Sequence, residues 1–99
     1  MTDTAPTRPR ISITYCQKCH FLPRASWVAQ ELLHTFGDFV AEVALVPGSG
    51  GIFSVAIDGE EVWSTQANGR FPEMRELRNL LRDRIEGAPP PRHPDSHLR

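Results

Sequence analysis

From Ile11 to Tyr15 apolar and polar residues alternate, with Ile11, Ile13 and Tyr15 on one side and Ser12 and Thr14 on the other. This is the period-two pattern of a strand with two unlike faces, and Cys16 ends it. Between Phe21 and Phe36 the spacing lengthens. Leu22, Ala25, Ala29, Leu32, Leu33 and Phe36 recur at helical intervals, while Arg24, Gln30, Glu31 and His34 fall elsewhere on the wheel. Pro23 sits in the opening turn of this helix, where a missing N–H is no loss, and Gly37 supplies a stop. Phe39 to Val46 predicts a second strand, with Ala41, Val43 and Leu45 on one side and Val40, Glu42, Ala44 and Val46 on the other. Ile52 to Ile57 and Val62 to Thr65 flank Asp58-Gly59, a dipeptide suited to the positive φ angles of a tight hairpin turn. Met74, Leu77, Leu80, Leu81 and Ile85 mark a last helix, with Pro72 and Glu73 in its first turn, arginines later and Gly87 at its end.

The element order is therefore β-α-β-β-β-α. A helix joining the first two strands implies a right-handed parallel unit, and the hairpin adds an antiparallel pair. The expected fold is α/β, a mixed four-stranded sheet closed by two helices. Arg10 to Glu86 forms the domain. Residues 1–9 read as a flexible polar arm, and residues 87–99, with four of the nine prolines and no apolar period, as a flexible Pro-rich tail. A core of this size buries only about two thirds of the surface its unfolded chain exposes, so each inward side chain matters to stability.

Charge narrows the function. The formal net charge is −1 with acids and bases interleaved, and neither a basic stripe nor a cluster of base-stacking aromatics appears, which argues against a nucleic-acid partner. No stretch approaches the roughly 20 apolar residues of a membrane span, and no basic segment followed by an apolar run opens the chain. These features lead us to expect a cytoplasmic protein with no membrane association. The chain has only two cysteines, three positions apart. In a reducing compartment such a pair is more often catalytic or metal-binding than a structural staple.

In Tyr15-Cys16-Gln17-Lys18-Cys19-His20 the first sulfur stands where a strand hands over to a helix, so the helix's unpaired N–H groups are expected to face it and favour a thiolate. Lys18 and His20 bring further positive charge. Two intervening residues let the second thiol reach back to the first sulfur, so a mixed disulfide with a substrate can be resolved within the chain. A C-x-x-C at this junction of a β-α-β-β-β-α chain is the arrangement of a thioredoxin-like protein, with Cys16 and Cys19 as the catalytic pair.

Three rivals compete for the same residues. Cys16-Gln17-Lys18-Cys19-His20 also fits the C-x-x-C-H pattern of covalent haem attachment, but no export signal is visible and the preceding residues form a strand rather than a haem pocket. Zinc could take both sulfurs and His20, with His93 and His97 as an H-x-x-x-H pair; however, the gap from Cys19 to His93 far exceeds the roughly 12 to 15 residues of a compact finger. No metal is expected. Finally, the cysteines could be two small buried hydrophobes, although a strand-to-helix junction is seldom deep core.

Four separated segments carry a resemblance: Tyr15-Cys16 with Cys19; the helix Arg24-Ala25-Ser26-Trp27-Val28-Ala29-Gln30-Glu31-Leu32-Leu33; the run Pro47-Gly48-Ser49-Gly50-Gly51-Ile52-Phe53; and Gly69-Arg70-Phe71-Pro72-Glu73. Together, over about Ile11 to Ile85, they resemble the selenoprotein W group of the SelT/SelW/SelH (Rdx) proteins. The resemblance implies a thioredoxin-like fold and thiol-based redox chemistry, often linked to glutathione as a thiol co-substrate, with no bound cofactor. In selenium-containing members the selenocysteine occupies the position of Cys19. Thioredoxin analogy makes Cys16 the attacking thiol, whereas the selenium placement points to Cys19, and the two assignments stay open at this level. Where thioredoxins place a cis-proline beside the dithiol, this chain has Ser49-Gly50-Gly51. Gly50 and Gly51 either let a thiol substrate approach closely or answer a turn's need for positive φ.

Trp27 falls off the apolar stripe of the first helix, beside Gln30, Glu31 and His34, as a candidate substrate or partner contact or as cover for a loop. Glu42 is a solvated acid on an edge strand rather than a proton relay. Trp63 and Phe71 read as core, with Phe71 anchoring the start of the last helix in the manner of a hydrophobic staple. Two function classes follow: a thiol-disulfide oxidoreductase acting on a small or protein disulfide, or a redox-sensitive binding module whose Cys16–Cys19 bond alters affinity for a protein without turnover.

Overall fold

The computed structural model describes residues 8–88. Most of the expected arm and tail, including His93 and His97, lies outside the described residues. The elements run β1 (Arg10–Cys16), α1 (Leu22–Phe36), β2 (Glu42–Gly48), β3 (Phe53–Ile57), β4 (Glu60–Ser64), α2 (Thr65–Asn68) and α3 (Met74–Arg82). The sheet order is β2-β1-β3-β4. β1 pairs parallel with β2 and antiparallel with β3, and β4 closes the antiparallel side. The α/β fold with a mixed four-stranded sheet is therefore as expected, with one helix more than expected.

β1 occupies the centre because it is apolar on one face and small on the other. Ile11, Ile13 and Tyr15 are buried, and so are their register partners on β3, Ile57, Val55 and Phe53. α1 and α3 lie on this face, contributing Ala25, Val28, Ala29, Leu32, Phe36, Leu77 and Leu81 to the same core. An ion pair joins the two helices, Arg78 Nη2 to Glu31 Oε1 at 2.8 Å.

Several boundaries and faces differ from expectation. The buried arc of α1 is narrower than the stripe in the sequence: Leu22 and Leu33 are exposed, and Val28 takes their place in the core. Gly37 is right-handed rather than left-handed; the chain continues through a tight turn in which the Phe39 N–H donates to the Phe36 carbonyl at 2.7 Å. This turn buries Val40 and delays β2 to Glu42. Glu42 stands on an edge strand, largely exposed and 3.7 Å from Arg10. The hairpin turn is as expected, with Asp58 and Gly59 both at positive φ. α2 was not expected. Ser64 caps it, its hydroxyl accepting from the Ala67 N–H at 3.0 Å, and four residues are too few to show a period.

The start of α3 is tied down by several contacts at once. Glu73 is its cap rather than part of its first turn, and Glu73 and Glu76 form a reciprocal capping box. Arg70 grips Glu76 through two guanidinium nitrogens at 2.9 Å each, and its guanidinium lies 4.8 Å from the Trp63 ring centroid. Trp63 returns a bond from its indole N–H to the Arg70 carbonyl at 3.2 Å. The helix ends at Arg82, short of Ile85, which is nevertheless buried in the turns that follow; Ala88 packs against the core after a left-handed Gly87.

The Arg70 guanidinium, and after it the Glu73 N–H, hold the Glu76 carboxyl below its ordinary range. A depressed carboxylate pKa gives stability that is present above the unfolded value of about 4.3 and is lost as pH falls through the lower folded value. The gap in Tm between the wild type and Glu76→Gln should therefore be open at pH 7 and narrow on acidification below about pH 4, as thermal unfolding over that range will test.

Candidate active site

Cys16 is the last residue of β1, and the chain after it is fixed from both sides. The Cys16 N–H donates to the Ile52 carbonyl at 2.8 Å, and the Gln17 N–H to the Gly48 carbonyl at 3.0 Å. Gly48 lies opposite Cys16 in the parallel register. A Cβ at Gly48 would stand 2.9 Å from Thr14 Cγ2 and 3.0 Å from Ile52 Cγ2, so only glycine lets the loop come this close to the strand.

The residues from Cys16 to Phe21 form a nested turn. His20 N–H donates to the Gln17 carbonyl at 3.1 Å, and Phe21 N–H donates to the Cys16 carbonyl at 3.3 Å. His20 sits in the left-handed region at φ 62°. This five-to-two and six-to-one pair around a left-handed residue is the Schellman arrangement that ends many helices, wrapped here around the two cysteines. It brings their Cα atoms to 5.2 Å, and the two sulfurs are joined in a disulfide. Cys16 is 2% exposed, whereas Cys19 lies in the exposed part of the turn.

α1 starts only at Leu22, after Cys19, and Pro23 removes one first-turn donor. The expected direct hand-over from strand to helix at Cys16 is therefore replaced by a turn. The Cys16 carbonyl is tied to Phe21, its N–H to Ile52, and the helix start falls nearer to Cys19 in the chain.

Gly50 and Gly51 stand in the same loop as Gly48 and Ile52, so the clamp draws them beside the dithiol turn. Both have positive φ, and a Cβ on either would meet nothing within 4 Å. Their backbone conformation thus requires glycine, and the space over them is open. Trp27 is 50% exposed on the outer side of α1, as its position off the apolar stripe suggests. No hydrogen bond or ring contact ties it to the cysteines among the described residues.

Two features of the site escaped the sequence reading. One is the left-handed His20, since the turn usually signals itself by Gly or Asn. The other is the setting of Phe71, which links the approach to α3 with the dithiol turn. Its ring meets Phe21 and Phe53 edge-on, each at 5.1 Å between centroids, and the Arg24 guanidinium caps it at 4.2 Å. Among the described residues no three His, Cys, Asp or Glu side chains gather where they could hold a metal ion.

The Rdx family model matches residues 10–83, which span every element from β1 to α3. The chain belongs to the Rdx family. The solved structures agree. A protein from Bordetella parapertussis is 49% identical, covering 78% of this chain and 98% of its own, with a TM-score of 0.76. A selenoprotein W-related protein from Vibrio cholerae is 39% identical, covering 78% of this chain and 96% of its own, with a TM-score of 0.75. Comparison with curated protein sequences gives no significant match. The resemblance to the selenoprotein W group thus holds over the folded chain, and with it the thioredoxin-like architecture and a thiol redox character for this Rdx protein.

The left-handed position of His20 sets a stability order. His20→Val should destabilise the oxidised protein by about 1–2 kcal/mol, because a β-branched side chain resists positive φ, while His20→Gly should leave it as stable or more so. Denaturant titration of the oxidised variants measures this.

Proposed function

We propose that this Rdx protein is a thiol-disulfide oxidoreductase in which Cys19 attacks and Cys16 resolves. The carrying observation is the unequal depth of the two sulfurs: Cys16 is buried and Cys19 is in the exposed turn. A substrate disulfide can reach only the outer one. The Cys19 thiolate displaces one sulfur of the substrate, which leaves as a thiolate and takes a proton, and a mixed disulfide remains on Cys19. The Cys16 thiolate then attacks the Cys19 sulfur, frees the second substrate thiol and closes the Cys16–Cys19 bond. Two electrons pass from the dithiol to the substrate. Two equivalents of a monothiol, for which glutathione is the natural candidate, return them in the reverse sequence.

Gly50 and Gly51 are the positions along which the substrate backbone would lie, because their open side faces solvent beside the clamped turn. Trp27 is a candidate contact for a larger, protein substrate. The cycle requires a reducing compartment such as the cytoplasm. Among the described residues no helix is long and apolar enough to cross a membrane.

The test uses hydroxyethyl disulfide as substrate and dithiothreitol as recycling reductant. Wild-type protein should turn over above the uncatalysed rate, Cys19→Ser should lose turnover, and Cys16→Ser should keep only what external thiol can resolve. Treated with the disulfide in the absence of reductant, Cys16→Ser should accumulate a mixed disulfide, visible as an added mass on Cys19, that added thiol releases. Accumulation on Cys16 in the Cys19→Ser variant instead would reverse the roles. Full activity in both variants would remove the enzyme and leave redox-dependent binding.

A further inference from the structure

The two ends of the sheet differ in charge. Glu42, Asp58, Glu60 and Glu61 all lie at the end where β1 begins, with Glu42 opposite Arg10 and the Asp58 carboxylate accepting from the Arg10 N–H at 3.0 Å. Three segments meet at the other end, around the disulfide. Residues 17–24 form the turn and the first turn of α1, residues 47–52 are held to it by the Gly48 and Ile52 carbonyls, and residues 69–72 are held by the ring of Phe71. These segments contain Lys18, His20, Arg24 and Arg70 and no Asp or Glu.

Not all of that charge is available. Arg70 is committed to Glu76, and the Glu73 carboxylate, next along the chain, is occupied in capping α3. Of the rest, Lys18 and Arg24 are the two side chains whose charge is permanent at neutral pH. Lys18 is exposed between the two cysteines. Arg24 is held in place without a carboxylate, its guanidinium lying on the Phe71 ring; Phe21, which also meets that ring, is bonded through its N–H to the Cys16 carbonyl. A guanidinium parked on an aromatic face keeps its donor fork free for a planar anion while losing side-chain freedom in advance.

We propose that Lys18 and Arg24 form a cationic rim that selects small disulfides bearing carboxylates close to the reacting sulfurs. The proposal rests on the exchange chemistry assigned to Cys19 and Cys16 above and names the substrate class for it. Each exposed charge acts over about 10 Å at 0.1 M salt, enough to reach a carboxylate two or three bonds from a sulfur held at Cys19. The two cations also favour the Cys19 thiolate, but that effect is the same whatever the charge of the substrate, so the two roles can be told apart.

Three disulfides of similar size serve as probes: dithiodipropionate, which is anionic, hydroxyethyl disulfide, which is neutral, and cystamine, which is cationic. The readout is each charged probe's kcat/KM divided by that of the neutral one. The anionic ratio should exceed the cationic ratio by about fivefold or more in low salt, and the gap should close towards 1 M salt, where screening falls to about 3 Å. Lys18→Glu, which leaves the Phe71 stack untouched, should narrow the gap, and Lys18→Glu with Arg24→Glu should reverse it. A second readout needs no turnover and so survives failure of the enzyme reading. In the reduced Cys16→Ser protein, the rate of Cys19 alkylation by iodoacetate relative to iodoacetamide should fall in the same order of variants. An unchanged ratio in both measurements, or an equal loss with all probes, would overturn the proposal. Loss of turnover with every disulfide together with a shifted alkylation ratio would sustain the rim while sinking the oxidoreductase.

Discussion

The arrangement of this chain depends on two backbone hydrogen bonds made at the end of its central strand, from Cys16 to Ile52 and from Gln17 to Gly48. β1 has a neighbour on each side, β2 in parallel and β3 in antiparallel pairing, and each bond extends one of those ladders by a residue past the regular strand. A β2–β3 loop that crosses the end of β1 must contribute both carbonyls, which fixes its path. Gly48 can have no side chain there, and Gly50 and Gly51 take the positive φ angles that turn the loop back into β3. The nested turn with His20 at its left-handed position then reverses the chain from strand to helix within five residues. The sulfurs are close because the backbone is held, so the oxidised pair belongs to the fold as well as to the chemistry.

A second set of contacts makes the far end of the chain part of the same site. Gly69 closes α2 in a left-handed conformation, Arg70 braces Trp63 and Glu76, and Phe71 reaches across to Phe21 and Phe53, the residues that follow the dithiol turn and the glycine loop. The run from Gly69 to Glu73 therefore braces the dithiol turn from 50 or more positions beyond the cysteines in sequence. Edge-on aromatic pairs contribute about 0.5–1.5 kcal/mol each beyond the area they bury, a useful share of the stability of a domain this small.

Much of this was legible in the residues, and the reasons differ by element. β1, β3 and α1 carry clean periods because each buries one face, and Asp58-Gly59 announces its turn through backbone chemistry alone. α2 was invisible, being a capped turn of four residues with nothing buried. The narrower arc of α1 was also hidden, since Leu22 and Leu33 have the right spacing and character and yet are exposed. For the site, a three-residue spacing says that two sulfurs can meet and nothing about how deep either lies. Depth follows from where the strand ends relative to the core, which is a tertiary property. The packing of Phe71 is of the same kind: its importance shows in the motif, its partner only in space.

That difference in depth bears on how thioredoxin analogy should be applied. The analogy rests on a first cysteine at a helix N-terminus, activated by the helix and open to substrate. In this chain the helix begins after the second cysteine, and the first is strand-terminal, bonded through its backbone on both sides and almost inaccessible. Cys19 is the exposed member of the pair, which is why the proposed cycle begins there. Under the proposed cycle the rigid half of the pair has the simpler task, because a resolving thiol need only wait at a fixed distance for a sulfur that is delivered to it.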